Sequence, residues 1–277
     1  MSRRTPVSRR SIAVAVVLLG IGVTVAIGVA RRGTDEGARC GAGFLARGSR
    51  CVCDQTRPCP APLVPSRLGC DAPDVHVLVP ETTIVLGPSD WEAEGRVAPR
   101  AVHAGAFRID AFEVTQGRWG GATPGDAARA ASAMTADEAA AFCARAAQGG
   151  RLPTEDEWIV AAVAGAAPAP RYPWGDTGAV CRRAAWGLGE GPCGLDADGP
   201  DTVGSHPSGD SALGLHDLAG NVAEWVVPSG AAGGGRAIAK GGSWASDLAA
   251  DLRVWARLEL PDGARDARVG LRCVYPP

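Results

Sequence analysis

Nine cysteines, at positions 40, 51, 53, 59, 70, 143, 181, 193 and 273, all follow a twenty-residue run, residues 11–30, that carries no charge. As a helix such a run rises about 30 Å, the thickness of a bilayer core. Arg9-Arg10 and Arg31-Arg32 bracket it, and the apolar stretch exceeds the usual core of a cleaved leader, so the sequence predicts an uncleaved transmembrane anchor. The small residues Gly28-Val29-Ala30 keep a cleaved signal, and hence a secreted protein, as the alternative. Arginines at 3, 4, 9 and 10 hold the N-terminus inside and send residues 33–277 to the periplasm or the exterior. Exported cysteines meet an oxidising compartment, where disulfides are the default. Nine is odd, which leaves one thiol free or paired between chains.

The expected organisation is a basic cytoplasmic segment at 1–10, the anchor at 11–30, a cysteine-rich stalk or module at 33–74, and one large domain at 75–277. Five cysteines crowd residues 40–70 among glycine, proline and arginine. They lack the paired CxxC spacing and the histidines of tetrahedral zinc sites, so they read as disulfide staples. From residue 75 the pattern changes. Residues 75–79, 82–86 and 107–114 are β-branched or alternating runs between turn signals, which predict strands. Thr135-Ala136-Asp137-Glu138 and Thr154-Glu155-Asp156-Glu157 each place threonine three residues before glutamate, the spacing of a capping box, and each opens a helix. Gln148-Gly149-Gly150 ends the first of these. Beyond residue 165 glycine, proline and tryptophan dominate, so that half must be held by disulfides or a bound ion.

Charge excludes one class of function. Six of the 28 basic residues lie in the first 32 positions, whereas all 30 acidic residues lie beyond them. The exported part is therefore acidic and lacks the basic face that nucleic acid requires. Eight tryptophans stand against two tyrosines and four phenylalanines, which reads as indoles filling a core poor in regular structure, with a carbohydrate platform as the functional alternative. His76, His103, His206 and His216 form no close helical pair, and neither a nucleophile elbow nor a phosphate loop occurs.

Six strings then occur in order: Phe107-Arg108-Ile109-Asp110-Ala111-Phe112-Glu113-Val114-Thr115; Arg151-Leu152-Pro153-Thr154-Glu155-Asp156-Glu157-Trp158; Tyr172-Pro173-Trp174-Gly175-Asp176; Gly214-Leu215-His216-Asp217-Leu218-Ala219-Gly220-Asn221-Val222-Ala223-Glu224-Trp225; Lys240-Gly241-Gly242-Ser243-Trp244; and Gly270-Leu271-Arg272-Cys273. Over residues 77–275 the chain resembles the formylglycine-generating enzyme, or sulfatase-modifying factor, family. The resemblance implies an α+β domain of C-type-lectin-like fold with limited regular structure. It also implies the disulfide Cys143–Cys273. Cys181 and Cys193 flank a glycine-rich segment with no other partner nearby and are expected to pair, which leaves the odd thiol among the five upstream cysteines. A structural calcium is implied on the carboxylates of Asp217 and Glu224 and the carbonyls of Gly220 and Val222. A second calcium site of the family is weakened here, because Ala185 stands where asparagine is expected.

Oxidases of the family hold copper between two cysteines just after the Gly-Gly-Ser motif. Ser246 and Asp251 occupy those positions here, Ser243 of the motif is retained, and Ala223 replaces a tryptophan. Soft cuprous copper wants thiolates, so the sequence argues against copper. The leading expectation is thus a membrane-anchored, exported, non-catalytic member of the family that binds a protein or glycan of the envelope or serves its structure. The alternative is a metal-dependent oxidase working without the copper cysteine pair, using Asp247 or Asp251 with a histidine.

Overall fold

A computed structural model describes residues 44–47, 50–54, 58–87, 98–146, 148–194, 197–229 and 236–277. Two short hairpins come first: β1 (Phe44–Arg47) with β2 (Arg50–Cys53), and β3 (Val64–Ser66) with β4 (Gly69–Asp71). A disulfide joins Cys59 to Cys70, and Cys53 is a free, buried thiol, so the odd cysteine does lie in the upstream group. This segment does not stand apart as a stalk. Phe44, Cys51, Cys53, Leu63 and Cys70 share one apolar cluster with Phe112, Ala130 and Val222 of the larger domain. Its cysteines are buried because the domain itself supplies their apolar partners.

A three-stranded antiparallel sheet follows, with β8 (Phe107–Asp110) between β5 (His76–Val79) and the C-terminal β13 (Val274–Tyr275). Between β5 and β8, β6 (Thr82–Leu86) and β7 (Arg100–Ala104) form a hairpin with the alternating burial of a half-covered strand pair. The expected strand at 107–114 stops at Asp110. Asp110 turns its carboxylate inward, where it accepts hydrogen bonds from Arg118, Tyr275 and the Cys273 amide at 2.7–3.0 Å, and the chain leaves the ladder for the short helix α1 (Gln116–Trp119).

Both capping boxes form. At the start of α2 (Ala136–Ala144) the Thr135 side chain accepts from the Glu138 amide while Glu138 accepts from the Thr135 amide. Thr154 and Glu157 repeat the arrangement at α3 (Glu155–Ala162). Each pair satisfies two amides that the first helical turn would leave bare, worth about 1 kcal/mol per cap. In α3 the stretch Trp158 to Ala162 is wholly buried, because its apolar side chains run all round the helix and pack against Ile84, Val102 and Ile109.

The second sheet is ordered β11 (Leu258–Pro261), β10 (Arg236–Lys240), β9 (Ala223–Val226), β12 (Val269–Gly270), with β12 parallel to β9. Cys143 of α2 is bridged to Cys273 between β12 and β13, and Cys181 to Cys193 in the loop-rich half. Those are the two expected pairings. Four indole N–H groups donate to groups of the domain itself: Trp158 to Glu224, Trp174 to the Thr177 carbonyl, Trp225 to that of Met134, and Trp244 to that of Ala267.

The anchor requires correction. Among the described residues no helix is long and apolar enough to cross a membrane, and they give no support to a membrane partner or a membrane-anchored location. The run at 11–30 lies outside the described residues, as do the basic segment at 1–10 and Trp91.

Candidate functional site

The second sheet positions the site. At the end of β10 the chain makes a sharp turn in which Gly241 and Gly242 take φ of +98° and +69°. A Cβ on Gly241 would lie 2.8 Å from the Leu218 carbonyl oxygen, and one on Gly242 2.9 Å from that of Asp251, so only glycine fits. Next, the Ser243 amide donates to Ser246 Oγ at 3.1 Å and the Ala245 amide to Ser243 Oγ at 3.3 Å. The turn faces a cavity of about 350 Å³ whose lining includes Ser243, Ser246, Asp247, Asp251, Arg257 and Arg268. Both positions that match the copper cysteines therefore open into one space.

That space is chemically hard. Burial, reinforced by the charge of Asp247, pushes the Asp251 carboxyl above its usual range, against the pull of Arg268. Arg268 is held by Asp266, with 2.6 Å between Nη2 and Oδ2. Arg257 is clamped by Glu155, with 2.6 Å between Nε and Oε1. Behind it, Lys240 Nζ lies 3.5 Å from the same glutamate oxygen, and burial pulls that ammonium down to about 8. The lining offers no thiol and no histidine. Copper bound through cysteines does not fit this donor set, and the expected pairing of Asp247 or Asp251 with a histidine is not formed here.

The loop 214–225 also differs from expectation. Glu224 Oε1 accepts from Arg272 Nε at 3.0 Å and Nη2 at 2.8 Å, while Oε2 accepts from the Trp158 indole at 2.7 Å. Asp217 accepts from the Gly204 amide, and Glu113 accepts from the Val222 amide and the Asn221 side chain. All of these residues are buried. The cation among the three carboxylates is the guanidinium of Arg272, and the calcium expected on Asp217, Gly220, Val222 and Glu224 is corrected accordingly. With one guanidinium for three acids, burial pushes Asp217 up to about 6 and Glu113 well above its usual range. The folded state thus binds a proton at Asp217 that the unfolded chain releases near pH 4, so this group disfavours folding as pH rises from about 4 to 6. Asp217→Asn is expected to raise stability at pH 7 by roughly 1–2 kcal/mol and to change little at pH 4. Thermal melts at the two pH values check it; equal shifts would remove the protonated carboxyl.

Among the described residues two groups bring three metal-capable side chains within 4.8 Å: Cys51, Asp201 and His206, and Asp74, His76 and Asp110. The first is fully buried, and Cys51 is disulfide-bonded, so its sulfur is not a thiolate and the group cannot meet a substrate. The second borders solvent. Neither was legible in the sequence, because Cys51 stands far from Asp201 and His206, and Asp110 far from Asp74 and His76.

A loop-rich α+β domain stapled between its first long helix and its last strands, with a cavity beside a Gly-Gly-Ser turn, defines a fold shared with known structures. Treponema denticola variable protein 1 matches 73% of this chain and 95% of its own length at a TM-score of 0.59 and 22% identity. PvdO from Pseudomonas aeruginosa does so at 0.59 and 19%, over 73% of this chain and 94% of its own. The chain belongs to the sulfatase-modifying factor enzyme 1-like domain family, whose model matches residues 127–276. It is 37% identical over 147 residues, 50% of this chain, to inactive C-alpha-formylglycine-generating enzyme 2 of Mus musculus, and 34% identical over 142 residues, 43% of this chain, to hercynine oxygenase of Mycolicibacterium thermoresistibile. The matches cover 46% and 29% of those proteins, so the chain spans less than half the length of either. With metal-capable side chains that need no cysteine pair and an oxygenase among the relatives, the expectation of a non-catalytic binding or envelope-structural protein gives way to the metal-dependent alternative.

Proposed function

We propose that the domain is a metal-dependent oxidase of this family that works without the copper cysteine pair and receives its substrate in the cavity beside Gly241-Gly242-Ser243. The observation that carries this reading is the convergence of Ser246, Asp247 and Asp251 on that one cavity. Two carboxylates and a hydroxyl are hard oxygen donors, suited to a divalent ion such as Fe²⁺ or Mn²⁺ and unsuited to Cu⁺. Such an ion, held by Asp247, Asp251 and Ser246, would supply oxygen activation. The chain's own groups do the rest. Ser246 Oγ already accepts from the Ser243 amide, which leaves its O–H to donate into the cavity. Burial and the charge of Asp247 disfavour a bare carboxylate at Asp251, and a cation held there would offset both.

Oxygen consumption by the purified full chain tests this, with Fe²⁺, Mn²⁺ or copper and with a sulfatase-motif cysteine peptide or hercynine as substrate. Turnover above the metal blank is expected with Fe²⁺ or Mn²⁺, with loss of at least about tenfold in Asp251→Asn, which removes a charged ligand of the ion. Blank-level oxygen use with every metal and substrate would overturn the reading.

A further inference from the structure

A second site lies away from that cavity, on the three-stranded sheet. The antiparallel register of β5 and β8 sets His76 directly opposite Asp110, so their side chains share one face of the sheet. Asp74 precedes β5 by two residues, and its carboxylate reaches the same point. His76 Nε2 stands 3.3 Å from Asp74 Oδ1 and 3.3 Å from Asp110 Oδ1. This nitrogen is buried and has no hydrogen-bond partner. It is aimed between two carboxylate oxygens, yet aligned for an N–H bond to neither. The edge of a tetrahedron with metal–ligand bonds of about 2.0–2.1 Å is about 3.3–3.4 Å, the spacing seen here.

We propose that Asp74, His76 and Asp110 bind a Zn²⁺ ion, leaving a fourth position that faces the adjoining cavities of about 240 and 300 Å³. Outer partners hold two of the three ligands. Tyr275 stacks its ring on His76 with 4.0 Å between centroids and donates its hydroxyl to Asp110 Oδ1 at 3.0 Å. Arg118 engages the other oxygen of Asp110 at 2.7 Å and lies 3.7 Å from Asp74, fixing Asp110 in place. Its positive charge is offset by Asp71, which lines the same cavity. The missing N–H alignment favours a nitrogen lone pair directed at an ion. Asp74 is 68% exposed on its side chain, so Asp74→Asn leaves the fold intact, and His76→Gln is the second variant.

The test is titration of the metal-stripped full chain with Zn²⁺ against a chromophoric competitor, beside the visible spectrum with Co²⁺. Wild type should bind with a tetrahedral Co²⁺ spectrum, and both variants should weaken binding by more than about 100-fold, beyond the loss of an outer partner. Equal zinc affinity in all three proteins, or no binding by wild type, would overturn the site. Because the readout is binding, it is independent of the proposed oxidase activity.

Discussion

Replacing Glu224 by alanine is expected to cost about 3–5 kcal/mol, because it strands Arg272 in the core without its carboxylate. Arg272 and Glu224 are 0% and 1% exposed on their side chains, so water cannot take the place of the missing partner. At about 2–4 °C per kcal/mol for a domain of this size, the thermal midpoint should fall on the order of 10 °C. The double variant Glu224→Leu with Arg272→Met should recover much of that loss, since exchanging a whole buried pair for apolar groups is often neutral. Melting curves of the single and double variants decide the matter. A double variant no better than the single one would show that the pair is not self-contained and that Arg272 is needed also by Glu113 and Asp217.

Opening the Cys143–Cys273 bridge should have an effect of similar size. The two cysteines are 130 residues apart in sequence, and releasing a loop of that length costs about 5 kcal/mol in the chain-entropy model. Both positions are fully buried, so Cys143→Ala with Cys273→Ala also removes the sulfur packing between α2 and the terminal strands. Denaturant unfolding of oxidised wild type and double variant measures the difference. A gap under 1 kcal/mol would mean that the bridge closes no disorder in the unfolded chain.

Local signals were readable where the physics is local. The Thr135/Glu138 and Thr154/Glu157 boxes declare helix starts within four residues, and both are present. The strand at Thr82–Leu86 follows from its own alternation. What failed depended on partners distant in sequence. Asp217 and Glu224 look like a cation cage in isolation, and only the fold brings Arg272 onto Glu224 from 48 residues away. Ser246 and Asp251 were identified through the family motif, but their shared cavity is a product of the turn at Gly241 and Gly242. His76 and Asp110 meet through strand register, which residue spacing does not reveal. The cysteine-rich segment resembled a separate module because its own composition lacks periodicity; its apolar partners lie on the larger domain.

Residues 269–275 complete both sheets, β12 at the edge of one and β13 at the edge of the other, and carry Arg272 and Cys273 between them. During synthesis neither sheet can be closed before this segment emerges, nor can the Glu113, Asp217 and Glu224 cluster gain its guanidinium or α2 be stapled. The order of events is therefore set from the far end of the domain. The preceding part waits as an open, aggregation-prone intermediate with long-range contacts still unmade, and folding ends in one late step that docks seven residues. A ribosome-stalled chain lacking them should be digested by protease throughout, and adding them should confer protection on the whole domain at once.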